Sequence, residues 1–307
     1  MKILVIGGTG HIGKMLVPRL VSEGFDVSVV TRGKISVNED EKWEKVNFLE
    51  TEYSRENEEW EEFVRNFKPE IVIDILGTDV PATFEASLET LQHYIACGSF
   101  WMYGPPKIVP TPEITQDECE FPVYARRYQE LLETMEVAEE QGIPFTGIMP
   151  SNICGPGKIP LETSGGRSLE IHKNLRDGKP VILPDGCNTL IAPCDVSDVA
   201  QGFYLAATQQ EFAAGELFNV GPEFFLTPQT LVQIFKLIHG IDIPIEYVTW
   251  NEFLTKQLPE PGANYHFRAH MSPDITKISE TLGYQPEYTP EESLERAVEW
   301  MYAQDLL

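Results

Sequence analysis

The chain has 307 residues, 42% of them hydrophobic and 23% charged, the make-up of a globular protein with material for a large core and one or two domains. No run approaches the roughly 20 apolar residues of a membrane-spanning helix, which argues against a membrane protein. Its 48 acids against 23 bases give a net charge of −25, which repels phosphate backbones at long range and makes nucleic acid an unlikely partner.

The first predicted element is an apolar strand, Ile3 to Ile6, reached directly from the first residue, so no signal peptide is expected. It runs into Gly7-x-x-Gly10-x-x-Gly13. An amphipathic helix follows, with Ile12, Met15, Leu16, Leu20 and Val21 at three- and four-residue spacing. A second apolar run, Asp26 to Val30, ends in Thr31-Arg32-Gly33-Lys34. This strand–turn–helix–strand order is that of a dinucleotide-binding unit. Gly7 allows a sharp turn out of the strand, Gly10 lets backbone approach a pyrophosphate, and Gly13 lets the helix lie close to the sheet. The helix start offers free N–H groups to the phosphates. The expected cofactor contacts in this turn are Gly7, Thr9, Gly10, His11, Ile12 and Gly13. A tight strand–helix turn without a ligand is the bland alternative.

The second strand ends without the carboxylate that usually bonds the ribose 2′-OH of NAD(H). Arg32 and Lys34 stand there instead, which favours a 2′-phosphate and hence NADP(H) over NAD(H), unless both are ordinary solvated charges. An acidic stretch follows, Glu39 to Glu62, read as a solvated face.

Further along, Phe48 to Glu50 reads as a short third strand, 69–77 as a buried fourth, Thr83 to Gln92 as a helix and 94–99 as a fifth strand. Tyr124 to Gln141 is a long helix ended by Gly142 and Pro144, and Phe145 to Met149 is a sixth strand. Alternating strands and helices imply an α/β, Rossmann-like, doubly wound parallel sheet. Ligands then bind at the carboxyl ends of the strands, which brings Leu76, Gly77, Ser99, Pro150, Ser151 and Asn152 toward one crevice. After residue 150 the pattern loosens. A helix at Val196 to Ala207 and a strand at Leu217 to Val220 are expected to return to the sheet, and 228–239 and 290–304 read as helices. The expected division is a dinucleotide-binding domain, 1–155 with 190–222 returning to it, and a smaller mixed substrate domain, 156–189 and 223–307. Five cysteines without a C-x-x-C pair suggest reduced thiols in a cytoplasm and no zinc or other metal site.

Several segments together resemble the extended short-chain dehydrogenase/reductase superfamily, of the NAD-dependent epimerase/dehydratase type. They are VIGGTGHIG at 5–13, SFWMYG at 99–104, Tyr124, MPSNICGPG at 149–157, PCDVSDVA at 193–200, GELFNVG at 215–221 and LGYQPEYTPEESLERAVEWM at 282–301. The opening, with VVTRGK, and the late FRAHMSPDITKISETLGYQPEY look most like an atypical branch that includes the chloroplast stem-loop-binding proteins and their bacterial relatives. The resemblance implies an oxidoreductase acting on a hydroxylated, sugar-like small molecule, a nucleotide sugar among the candidates. Ser99 would orient the substrate hydroxyl and Tyr124 would act as the acid/base. Asn152 would lie beside the nicotinamide or substrate, and two copies would pair through helices that include Tyr124 to Gln141.

The chain departs from that family at two places. The Lys expected four residues after Tyr124, which lowers the Tyr pKa from about 10, is Tyr128 here. Arg127, on the Tyr124 face of the helix, offers a cation but relays no proton. Either the enzyme works with Arg127 or another residue in place of Lys, or the protein is a non-catalytic NADP(H)-binding sensor or scaffold. The second departure is Leu190, where relatives that bind nucleoside-diphosphate sugars often have Arg. Arg167, Arg176 and Arg268 are then the candidate anion ligands, each read first as a surface charge. His266 and His270 are expected on a loop that closes over substrate or packs on the core, and Asp195 and Asp198 as helix caps.

Overall fold

β-Branched and aliphatic side chains alternate along the first strand, β1 (Lys2–Ile6), so that Ile3 and Val5 enter one core and Leu4 and Ile6 another. The same two-sided burial recurs in β4 (Ile71–Asp74), where Ile71 and Ile73 share the first core and Val72 the second. A sheet apolar on both faces must be covered on both, and a parallel sheet with helices above and below is the usual solution.

The computed structural model describes residues 1–33, 37, 40–257 and 263–307. Lys34 and Glu39 lie outside the described residues. The other central strands are β2 (Asp26–Thr31), β3 (Asn47–Glu50), β5 (His93–Cys97), β6 (Phe145–Pro150) and, beyond three short strands, β10 (Glu216–Val220). They form one parallel seven-stranded sheet in the order β10-β6-β5-β4-β1-β2-β3. The order reverses at β1, between β2 and β4, and the crevice there is where such folds take ligands. The short strands β7 (Asn152–Cys154), β8 (Val181–Pro184), β9 (Pro193–Asp195) and β11 (Ile245–Val248) make two-stranded parallel pairs, β7 with β9 and β8 with β11.

Helices α1 (Gly13–Ser22) and α6 (Val196–Thr208) supply Leu16, Leu20, Val199 and Phe203 to the first core. On the other face α2 (Trp60–Phe67), α3 (Val80–Ser87) and α4 (Pro122–Gln141) supply Trp60, Phe84 and Leu131. A third cluster joins α5 (Leu169–Arg176), α8 (Pro228–His239), α9 (Trp250–Gln257) and α11 (Pro290–Ala303), while the short α7 (Gln210–Ala213) and α10 (Thr276–Leu282) add Ala213, Ile278 and Leu282 to the first core. Helix α3 starts earlier than its apolar pattern suggests, because Pro81 suits a first helical turn, and it ends at Ser87. Asp195 caps α6 through Ser197 N, as its sequence suggests. Asp198 does not cap that helix: its carboxylate accepts from the amides of Glu287 and Tyr288, and fastens the segment before α11.

Candidate active site

The glycine turn is shaped by what cannot fit beside it. Gly7 has φ +87°, in the left-handed region, and its carbonyl accepts from Gly10 N at 2.9 Å. A Cβ on Gly13 would sit 2.2 Å from the carbonyl oxygen of Gly8, so α1 starts against the turn itself. Beside this turn lies a cavity of about 350 Å³, lined by Gly7, Thr9, Gly10, Thr31, Arg32, Tyr53 and Leu76 among others. The Thr31 hydroxyl is buried there without a hydrogen-bond partner among the described residues, an orphan that an adenosine ribose or its phosphate would satisfy. Arg32, exposed, has no ion pair among the described residues, but Glu52 lines the same cavity.

The floor of that cavity is fixed by Asp74 at the end of β4. Its buried carboxyl group accepts from the amides of Leu76 (3.1 Å) and Gly77 (2.8 Å) and from the hydroxyls of Tyr53 and Tyr94. Burial raises its pKa, and the four donors oppose that shift. Gly77 therefore serves the turn and abuts the Cys97 carbonyl; it lines neither cavity.

On the other side of Leu76 a second cavity, also about 350 Å³, brings together Ile12, Ser99, Tyr124, Arg127, Pro150 and Asn152. Ser99 follows β5 and its Oγ accepts a long bond from Trp101 N, 3.4 Å. Tyr124 lies in the first turns of α4, with its ring edge-on to Phe121. One residue on the same helix face matters more than the sequence suggested. Arg127 lines the cavity, donates to the Leu76 carbonyl at 3.4 Å and keeps its Nε unpartnered among the described residues. Tyr128 turns the other way: it is 8% exposed, packs edge-on to Tyr103 and shares a 3.3 Å hydrogen bond with Thr115.

Asn152 is held from two sides. Its Oδ1 accepts from Ala192 N, and its amide donates to Nδ1 of His266 at 3.3 Å. His266 packs beside Trp101, and burial with the nearby Arg167 pushes its pKa down to about 3, so the ring is neutral at ordinary pH. His270 accepts from the amide of Leu190 and so braces that loop. His11 lines neither cavity. Its Nε2 donates to the Pro156 carbonyl at 2.9 Å, and burial lowers its pKa to about 4. It clamps the loop after β7 onto the glycine turn.

Two cations belong to this cavity that sequence reading passed over or placed elsewhere. Lys158 carried no sequence signal beyond following Gly155-Pro156-Gly157. Arg167, read first as a surface charge, is a correction: its guanidinium is part-buried and donates to the carbonyls of Ile153 (2.9 Å) and Ile159 (2.7 Å). Arg176 and Arg268 are surface charges, paired with Asp177 and Glu120. The Cys97 thiol also lines this cavity, with its pKa pushed up to about 12 by burial, so it is a neutral wall rather than a nucleophile.

A parallel sheet reversing at β1, with a glycine turn at the crevice and Ser99 and Tyr124 beyond it, defines a Rossmann-like α/β fold. Residues 3–221 match the model of the NAD dependent epimerase/dehydratase family, and the chain belongs to that family. It is 28% identical to the chloroplast stem-loop binding protein of 41 kDa b of Arabidopsis thaliana, over 95% of this chain and 77% of that one. It is 26% identical to a putative UDP-glucose 4-epimerase of Methanocaldococcus jannaschii, over 97% and 98%. The solved UDP-glucose 4-epimerase of Thermotoga maritima with UDP-glucose shares the fold, with a TM-score of 0.75, 24% identity and 99% of both chains covered. Among the described residues no helix is long and apolar enough to cross a membrane.

Proposed function

We propose that the chain is an oxidoreductase of the epimerase/dehydratase kind that uses NADP(H) in preference to NAD(H) and acts on a hydroxylated, sugar-like molecule, a nucleotide sugar being the substrate class. The observation that carries this reading is the convergence of Ser99, Tyr124 and Arg127 on one cavity that adjoins the glycine turn across Leu76. Gly7, Thr9, Gly10 and Arg32 would hold the adenosine half of the cofactor, with Pro150 and Asn152 beside its other end. When bound, the nicotinamide supplies the hydride acceptor or donor. Ser99 orients the substrate hydroxyl, and the Tyr124 hydroxyl exchanges a proton with it. Arg127 stands in for the absent Lys as the local positive charge, but holds its proton throughout.

Arg32, at the end of β2 without an ion pair among the described residues, supports the 2′-phosphate reading, and Glu52 in the same cavity is its competitor. The names of two relatives, a putative UDP-glucose 4-epimerase and a UDP-N-acetyl-alpha-D-glucosaminuronate decarboxylase, support the nucleotide-sugar class. Five free cysteines suit a reducing compartment such as the cytoplasm, and Val123 and Val137, both exposed on α4, suit pairing of two copies through that helix. A second reading, cofactor binding without turnover, is favoured by Tyr128, which gives the pocket no cation.

The test is a fluorescence titration with NADPH and NADH on wild type, Arg32→Ala and Glu52→Gln, followed by a turnover screen of nucleotide sugars. Tight NADPH binding that weakens about tenfold in Arg32→Ala, the loss of one charge-assisted pair, supports the cofactor reading. Binding of neither nucleotide overturns it, and binding without any turnover leaves the sensor reading.

A further inference from the structure

The cavity that holds Ser99 and Tyr124 is lined by three cations, Arg127, Lys158 and Arg167, and among the described residues by no Asp or Glu. None of the three has a salt bridge among the described residues, in a chain whose net charge is −25. Acidic residues are abundant, yet among the described residues the part-buried Arg167 guanidinium is bonded to two backbone carbonyls, Ile153 and Ile159, and to no carboxylate. A carbonyl fixes the position of a guanidinium without neutralising it. Withdrawing a cation from water without a counter-charge is costly unless a ligand brings that charge.

Arg167 and Lys158 are also close enough to act on each other. Lys158 is exposed over the residue as a whole, yet burial of its ammonium and the neighbouring Arg167 lower its pKa to about 8. Arg167 carries its field both to His11, beside the glycine turn, and to His266, the partner of Asn152. Leu190, held through its amide by His270, supplies no charge where an arginine was sought.

We propose that Arg167 and Lys158 form an oxyanion subsite for the substrate's reacting unit: the sugar-like group presented to Ser99 and Tyr124 itself carries a carboxylate or a phosphate. This rests on the assignment of Ser99 and Tyr124 to the reacting centre. Arg167, fixed by two carbonyls, is the preorganised half, and it lines the cavity. Lys158, on a flexible stem, is the adaptable half. A neutral sugar leaves both cations uncompensated, so the subsite selects for charge at the reacting unit and not merely at a distant diphosphate.

The experiment is calorimetric titration of the full chain, with and without saturating NADPH, using two probe pairs: UDP-glucuronic acid against UDP-glucose, and glucose 6-phosphate against glucose. Wild type, Lys158→Gln, Arg167→Gln and the surface control Arg176→Gln are compared, with circular dichroism to verify folding. Because Arg167→Gln risks misfolding, Lys158→Gln, an exposed site, carries the decision if it does. The expected result is that the anionic member of one pair binds about tenfold tighter, and that this preference falls to near unity in the subsite variants but not in Arg176→Gln. Preference within the first pair identifies a carboxylate, within the second a phosphate. Equal binding within both pairs overturns the proposal, as does a preference that survives both subsite variants. Loss of NADPH affinity as large as the loss of probe affinity also overturns it, and assigns the cations to the cofactor pyrophosphate. Failure of NADPH to bind wild type at all would instead strike the oxidoreductase reading, while the pairwise preference in the nucleotide-free chain still decides the subsite.

Discussion

The Tyr53 hydroxyl donates a 2.6 Å hydrogen bond to Oδ2 of Asp74 and accepts one of 2.6 Å from Asp79 N. One phenol thus ties the segment after β3, the end of β4 and the start of α3 into a single wall of the cavity beside the glycine turn. Tyr53→Phe leaves the buried Asp74 short of a donor. The expected cost is about 1–3 kcal/mol in urea unfolding, with weaker NADPH binding in the same titration. Unchanged stability would mean that Asp74 does not depend on that donor.

Tyr124→Phe removes the proposed acid/base and keeps the ring against Phe121. Turnover should fall by about 10²–10⁴-fold while nucleotide affinity is unchanged. Steady-state rates beside the fluorescence titration check this, and a fully active variant would reassign the proton transfer.

Arg127 and Tyr128 are neighbours in sequence with opposite fates. Arg127→Gln should lower kcat by about tenfold or more, through loss of the charge beside the reacting centre. Tyr128→Phe loses only its bond to Thr115 and should leave kcat within about threefold, a small structural effect. The reverse order in single-turnover rates would put the missing cation's work on the Tyr128 side.

Gly13→Ala places a methyl group 2.2 Å from the Gly8 carbonyl oxygen, backbone that has nowhere to go. A destabilisation of about 1–3 kcal/mol is expected, together with loss of nucleotide binding. Thermal melting with and without NADPH reads both.

His93 and His172 are fully buried, and burial lowers the pKa of each to about 4. Both take up a proton when the chain unfolds below the ordinary histidine pKa of about 6.5. A pKa depressed in the folded state contributes stability above the unfolded pKa and loses it as pH falls toward the folded one. From pH 6.5 to 4 each should therefore cost about 1.4 kcal/mol per pH unit. His172→Gln, which keeps a donor for the Pro160 carbonyl, should flatten that slope by about one proton's worth. Urea midpoints at pH 7.5 and 5 measure it.

The first 31 residues were readable because every local signal agreed: apolar alternation, glycines at the turn and a helical stripe at its own period. The long helix α4 was readable for the same reason, with Gly142 ending it in the left-handed conformation. Short strands such as β8 and β11 were not, since four residues carry too little periodicity and their pairing spans some 60 positions of sequence. At the site, Ser99, Tyr124 and Asn152 stood out through the family resemblance. Arg167 did not, because a long cation looks the same in sequence whether it covers a surface or is pinned by two carbonyls. Tyr53 was silent too, since its meaning lies in Asp74, on another strand.

The strand that completes the sheet comes late. β10 pairs with β6 from Glu216↔Thr146 to Val220↔Pro150, after some 65 intervening residues that carry Lys158 and Arg167. During synthesis the first six strands emerge while β6 still shows a bare row of amides and carbonyls on its outer side, the kind of edge that recruits strands from other chains. A chain truncated before Glu216 would keep that edge permanently and would be expected to aggregate, even with its glycine turn and Tyr124 complete. The last strand of this sheet is thus also the nascent chain's protection against its own neighbours on the ribosome.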